Sequence, residues 1–314
     1  MHSLLRPFLA AGALAVSAAT VSARVERTVE KTFTVSGAGT LFVDTQGGAI
    51  RVAPSNDLTV KITAKEKIRA DSDAEADEVL RKLELTMEQS GNDVTARAKY
   101  ASQPIGFRFG SWPPVQVEFV VTVPASFATD LHTSGGGIEV GDLTGKISAR
   151  TSGGSIQLGK MGATVFAHTS GGNITLDSAA GDVDLDTSGG NINVGRVAGE
   201  GKLSTSGGGI KIEEVANKLD AHTSGGSIRA TIRGLLKDDC LLRTSGGSVN
   251  VTVDKAAAFR LDAETSGGGV DAEGLTLTLE SSGQRRNKLA GTVNGGGPLL
   301  KLRTSGGGIS IRAR

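Results

Sequence analysis

The chain has 314 residues, of which 45 are Gly and only 4% are aromatic, with 34 basic side chains against 33 acidic ones. Gly lies well above the roughly 7% of ordinary globular chains. It does not recur at every third position, which excludes collagen, and regularly spaced Ile, Leu and Val exclude a flexible linker. Charge balance argues against nucleic acid as the main partner, since such binders concentrate positive charge, and offers no global attraction to an anionic membrane.

Residues 1–23 read as a secretory signal. Arg6 supplies the positive start, Phe8 to Val16 is mostly apolar, and Val21-Ser22-Ala23 is a small-residue cleavage site, so cleavage is expected after Ala23. The apolar run is shorter than the ~20 residues that span a bilayer. No transmembrane segment is expected in the mature chain, and export to periplasm, cell surface or medium is.

Residues 24–130 hold Trp112, Tyr100 and most of the Phe residues. Strand-like segments are Thr32–Val35, Thr40–Val43, Leu58–Ala64, Asp93–Ala98 and Val115–Val123. Asp73–Leu85 reads as a helix, capped by Ser72 or Asp71, with Ala76, Val79, Leu80 and Leu83 as its apolar stripe. Gln103–Pro114 is predicted as a loop. The segment is expected to form an N-terminal cap plus the first irregular coils, because a solenoid end is an open sheet edge that needs covering.

From 131 to 314 the chain is a repeat. Thr-Ser-Gly-Gly starts at Thr133, Thr151, Thr169, Thr187, Thr205 and Thr223, spaced by 18 residues. It returns at Thr244, Thr265 and Thr304, after 21, 21 and 39. The 39-residue interval suggests two coils with one degenerate start, Asn294-Gly295-Gly296-Gly297 being the decayed copy. Thr45-Gln46-Gly47-Gly48 looks like an early outlier. Five residues after each regularly spaced Thr stands Ile138, Ile156, Ile174, Ile192, Ile210 or Ile228, and alternating apolar residues flank it. Period two means strands with one buried face. Each 18-residue unit therefore predicts two short strands, and stacked units bury what one unit cannot. The paired glycines, Gly135-Gly136, Gly153-Gly154, Gly171-Gly172, Gly189-Gly190, Gly207-Gly208 and Gly225-Gly226, fit a corner that needs either positive φ or close backbone approach. Cys240, the only Cys, falls in an apolar column and is predicted as an inert core residue. The fold class is thus all-β, a β-solenoid of 18-residue coils with an irregular β-rich cap.

With a secretory signal, a strand ending at Val123-Pro124 and repeated Thr-Ser-Gly-Gly-x-Ile, the chain resembles the bacterial DUF4097 family of proposed adhesins. It is also similar to the head domain of proposed autotransporter adhesins. The resemblance implies a single-stranded parallel β-helix, right-handed by family likeness, and brings no catalytic residues with it.

Candidate chemistry is sparse. His132, His168 and His222 share the column just before the motif Thr, but at ~4.8 Å per coil they stand too far apart for one metal, whose nitrogens sit about 2.1 Å away. Asp182, Asp184 and Asp186 alternate along one strand without the recurrence of a calcium roll, and read as an exposed acidic strand. Asn173 and Asn191, in one column on adjacent coils, predict an Asn ladder. No triad and no facing carboxylate pair is visible, so no catalytic, cofactor or metal site is expected. The expected function is an exported, non-catalytic, structural or adhesin-like solenoid contacting a surface glycan or an envelope protein. One alternative is a polysaccharide-binding or polysaccharide-cleaving β-helix, and a second is an envelope regulatory partner acting by protein contact.

Overall fold

The computed structural model describes residues 24–100 and 114–314. The expected signal segment and nearly all of the expected loop Gln103–Pro114 lie outside the described residues. In chain order the first elements are β1 (Arg24–Thr34), β2 (Thr40–Thr45), β3 (Ile50–Ser55), β4 (Thr59–Arg69), α1 (Asp73–Leu80), β5 (Leu83–Ser90), β6 (Asp93–Tyr100), β7 (Val115–Pro124), β8 (Ala128–Thr133) and β9 (Ile138–Val140). The regular repeats follow as β10 (Ile147–Thr151), β11 (Ile156–Met161), β12 (Val165–Thr169), β13 (Ile174–Ala179), β14 (Val183–Thr187), β15 (Ile192–Val197), β16 (Gly201–Thr205), β17 (Ile210–Val215), β18 (Leu219–Thr223), β19 (Ile228–Ile232), β20 (Cys240–Thr244) and β21 (Val249–Val253). The chain closes with β22 (Phe259–Thr265), β23 (Val270–Glu273), β24 (Leu277–Arg285), β25 (Lys288–Val293), β26 (Leu299–Thr304) and β27 (Ile309–Ala313).

Each coil gives one strand to either of two sheets. Strands that end on the motif Thr form a 14-stranded sheet, here the threonine sheet; strands that follow the double Gly form a 13-stranded sheet, here the glycine sheet. Coil pairs on coil in parallel and in register, so Ile156 sits between Ile138 and Ile174, and Ala167 between Ala149 and Leu185. The 18-residue period is the cause: an equal chain length per turn returns every side chain to the same column, and alternation turns every second one inward. The interior is aliphatic. Ile138, Ile156, Ile174, Ile192, Ile210 and Ile228 are at most 2% exposed. Large rings are buried near the two ends, at Phe119, Phe127 and Phe259.

Layer order departs from chain order at both ends. At the N-terminal end the outermost full layer is β6 with β7, and the earlier coil β2–β3 is threaded between it and β8–β9. Thr45 stacks on Thr133 and Ile50 on Ile138, so Thr45-Gln46-Gly47-Gly48 is a full motif copy. At the C-terminal end the last coil, β26–β27, is inserted between β20–β21 and β22–β23. The 39-residue interval therefore holds no extra coil, contrary to the expectation. It holds the antiparallel pair β24–β25, which covers β22 and carries the chain back one layer. Nor is Asn294-Gly295-Gly296-Gly297 a decayed motif. All four have positive φ, from 46° to 158°, and the Asn294 amide donates to the carbonyls of Lys255 and Ala257.

Antiparallel strands finish the remaining edges: β4 and then β1 on the glycine sheet, β5 on the threonine sheet. The helix is shorter than predicted. Ser72 caps it, its Oγ accepting from the Glu75 N–H, and Ala76 is buried. It stops at Leu80, however, and Leu83 and Leu85 belong to β5, where they pair with Tyr100 and Ala98.

Candidate functional site

The motif residues explain one another. Every motif Thr is buried, at 0–6% exposure. Its Oγ1 donates to a Gly carbonyl of the neighbouring layer and accepts the N–H of its own third-following Gly. Thr187 Oγ1 is 2.8 Å from Gly172 O and 3.3 Å from Gly190 N. The same pair of bonds recurs at Thr133, Thr151, Thr169, Thr205 and Thr223. The Thr column is a continuous staple between coils, and its hydroxyls satisfy buried carbonyls that would otherwise cost free energy to leave unpaired.

The two glycines differ. A Cβ on the second, at Gly154, Gly172, Gly190 or Gly208, would lie 2.0–2.1 Å from the carbonyl oxygen of the layer below. A Cβ on the first, at Gly153, Gly171 or Gly189, would meet its nearest atom at 3.3–3.4 Å. None of the motif glycines has positive φ. Close approach, and not left-handed backbone, is the reason for the pair. Gly135 and Gly136 obey the same distinction, at 3.6 and 2.1 Å, while Gly207 and Gly225 tighten to 3.1 and 2.8 Å, against 2.2 Å at Gly226.

Cys240 is 1% exposed, and its Sγ accepts from the Leu219 N–H at 3.4 Å. Burial pushes its thiol pKa up, which disfavours the reactive thiolate. His132, His168 and His222 stand on the outer face of the threonine sheet, and the first two have separate partners. His132 Nε2 lies 2.8 Å from Asp130 Oδ1, and His168 Nδ1 lies 2.8 Å from Asp186 Oδ2. The three aspartates do not converge either. Asp182 accepts from the Glu200 N–H, Asp184 pairs with Lys202 at 3.1 Å, and Asp186 faces His168. No group of three or more metal-ligating side chains occurs among the described residues.

Two outward faces remain. On the threonine sheet, Arg97 covers the half-buried Phe42 at 4.9 Å, and His132 lies on the same ring at 5.7 Å. Three coils on, Arg150 covers Phe166 at 4.4 Å. These rings are flat, partly exposed and capped by guanidinium groups. On the glycine sheet, the column six residues after the Thr is polar throughout. Asn193, Lys211, Arg229, Asn250 and Ser310 are in register on successive layers. Shallow depressions follow this column. One of about 210 Å³ is lined by Asn191, Lys211 and Arg229 among others, and one of about 160 Å³ by Arg229, Thr252 and Arg312. Sequence reasoning missed both faces. The signal was present in the same alignment, in columns that were not apolar.

The Asn ladder is a backbone device. Ser155 Oγ accepts from Asn173 N, Asn173 Oδ1 from Asn191 N, and Asn191 Oδ1 from Gly209 N, at 2.7–3.1 Å.

The sequence profile described as Toastrack DUF4097 matches residues 41–312. No curated protein matches the chain. Solved structures that match include a proposed lipid-binding protein from Parabacteroides distasonis, at 13% identity and a TM-score of 0.41, covering 91% of this chain and 97% of that one. A proposed adhesin from Bacteroides fragilis is 11% identical with a TM-score of 0.39, over 92% and 97% of the two chains. A proposed cell adhesion protein from Clostridium sporogenes is 12% identical with a TM-score of 0.23, over 92% and 100%.

Proposed function

The chain belongs to the Toastrack DUF4097 family, and from that premise we propose that it is an exported, non-catalytic, adhesin-like rod that contacts surface or envelope components through its two outer sheet faces. One observation carries the reading. The inward columns of the coils are filled by aliphatic side chains and the motif Thr, while the charged and aromatic groups described above stand in axial columns on the outside. Small-molecule and catalytic sites are usually concave, at ~300–1,000 Å³, whereas three depressions on the glycine sheet, among the described residues, hold about 160 to 230 Å³. Among the described residues, no helix is long and apolar enough to cross a membrane.

Polysaccharide cleavage finds little support, because sugar-bond hydrolysis needs two placed carboxyl groups and Asp184, Asp186 and Asp182 are engaged by a cation, an imidazole and a backbone N–H respectively. Glycan binding without cleavage is a second reading, favoured by the stacked pairs at Phe42 and Phe166. The test is purified protein screened on glycan and envelope-component arrays, with parallel lyase and hydrolase assays. Saturable binding without turnover is expected. Turnover of any polysaccharide, or no binding to any component, overturns the proposal.

A further inference from the structure

The polar column of the glycine sheet has an uncompensated cation at its centre. Lys211 pairs with Glu213 at 3.0 Å, and Arg312 with Glu273 at 3.3 Å. Arg229 has no ion-pair partner among the described residues, although Lys211 is its in-register neighbour. Like charges directly opposite one another on neighbouring strands are destabilising. The other arginines of this sheet face and its corner are neutralised: Arg51 by Glu118 and Glu139, Arg196 and Arg233 by Glu214. Arg229 and Asn250 line both depressions, which are therefore neighbours along this column and together make up a trough.

Beside Lys211 and Arg312, each paired with an acid, the lining presents neutral hydrogen-bonding groups: the amides of Asn191, Asn193 and Asn250, and the hydroxyls of Thr252 and Ser310. Asn193, Lys211, Arg229, Asn250 and Ser310 span four layer spacings, ~19 Å at about 4.8 Å each. One uncompensated cation over that distance is far sparser than the charge of a nucleic acid, at one phosphate per ~1.7 Å of duplex. It matches an extended chain that is mostly hydroxyl and carries an occasional acid.

We propose that this trough binds a linear, carboxylated polysaccharide lying along the rod axis, with Arg229 gripping a carboxylate and the flanking amides and hydroxyls meeting the sugar hydroxyls. Guanidinium is suited to this role because its planar fork meets a carboxylate with two parallel bonds. The inference rests on the surface-contact reading and names its ligand class.

The probe is polygalacturonate with most of its carboxyl groups methyl-esterified, so that its acids are occasional, with the fully methyl-esterified form and polyphosphate as controls. Saturable binding of this polygalacturonate to the full chain is expected, with fully esterified polymer and polyphosphate much weaker. Arg229→Ala should weaken it about tenfold or more, as loss of a charge-assisted contact implies, while thermal melting stays near that of the unsubstituted chain. Lys301→Ala, at an exposed position of the threonine sheet, should leave it unchanged. Equal binding by Arg229→Ala and the unsubstituted chain overturns the trough, as does polyphosphate or fully esterified polymer binding as tightly. An Arg229→Ala protein that still binds envelope components on the array, with no polygalacturonate binding by either protein, overturns this inference alone and leaves the broader reading standing.

Discussion

At the third position after each motif Thr the backbone of one coil lies against the carbonyl of the next, with no room for a methyl group. Gly172→Ala brings a Cβ to 2.1 Å from Gly154 O, whereas Gly171→Ala meets nothing nearer than 3.4 Å. Overpacking of this kind costs ~1–3 kcal/mol or more. Thermal denaturation should show a large loss for Gly172→Ala and a small one for Gly171→Ala, although the two residues are adjacent and chemically identical. Thr187→Val, nearly isosteric, leaves Gly172 O and Gly190 N without their buried partner; about 1–3 kcal/mol should be lost, and Thr187→Ser should recover part of it. In the cap, Glu66 is 5% exposed. Burial raises its pKa, with Arg27 opposing in part. A raised folded value means that the folded chain holds the proton more tightly, so this group's contribution to stability falls as pH rises from the ordinary carboxylate range through the folded value. Glu66→Gln should therefore raise the melting temperature at neutral pH and lose that advantage in acid.

The strand is the unit in which the columns act. Ile192 is fully buried between Ile174 and Ile210, so Ile192→Asp places an unpaired charge in the interior and should unfold or fray the middle of the rod. Asn191→Ser, one residue earlier, should cost little, because Ser155 shows that a Ser Oγ accepts the same N–H. Equal melts for the two variants would contradict the register. This much of the fold was legible because period two and period 18 are both written in the side chains. Between Ala76 and Met87 the periods collide. Ala76, Val79, Leu80 and Leu83 follow helical spacing, while Leu83, Leu85 and Met87 follow strand spacing, and pairing with β6 decides for the strand from Leu83 onward. The candidate faces were less legible. A polar column looks alike whether it is idle or used, and Arg229 differs from the others only in lacking a counter-charge, which depends on its three-dimensional neighbours.

Across the whole molecule, a repeat reports how many coils there are and not which coil lies on which. Thr265 and Thr304 carry the same motif, so nothing local says that the later one stacks on Thr244 and the earlier one lies outside it. That order depends on β24–β25, whose antiparallel return takes the place of a coil. Deleting residues 295–314 therefore removes an inner layer. In a simple solenoid a terminal deletion trims one end; here β22 and β23 lose their parallel partners as well. Hydrogen exchange on the truncated chain should show protection collapsing from Phe259 through Val293, with β10 to β19 close to unchanged. Protection retained across β22 would contradict the interleaved order.

The same interleaving decides how the rod bears load. The final strand, β27, runs between β21 and β23 with ladder partners on both sides, and the Arg314 N–H and carbonyl are still held by Val253 and Lys255. A tether pulling on this terminus cannot peel a free rim one bond at a time. It must slide a clamped strand lengthwise, straining both ladders together, so single-molecule stretching from the C-terminus should meet a high initial rupture force before the coils unwind.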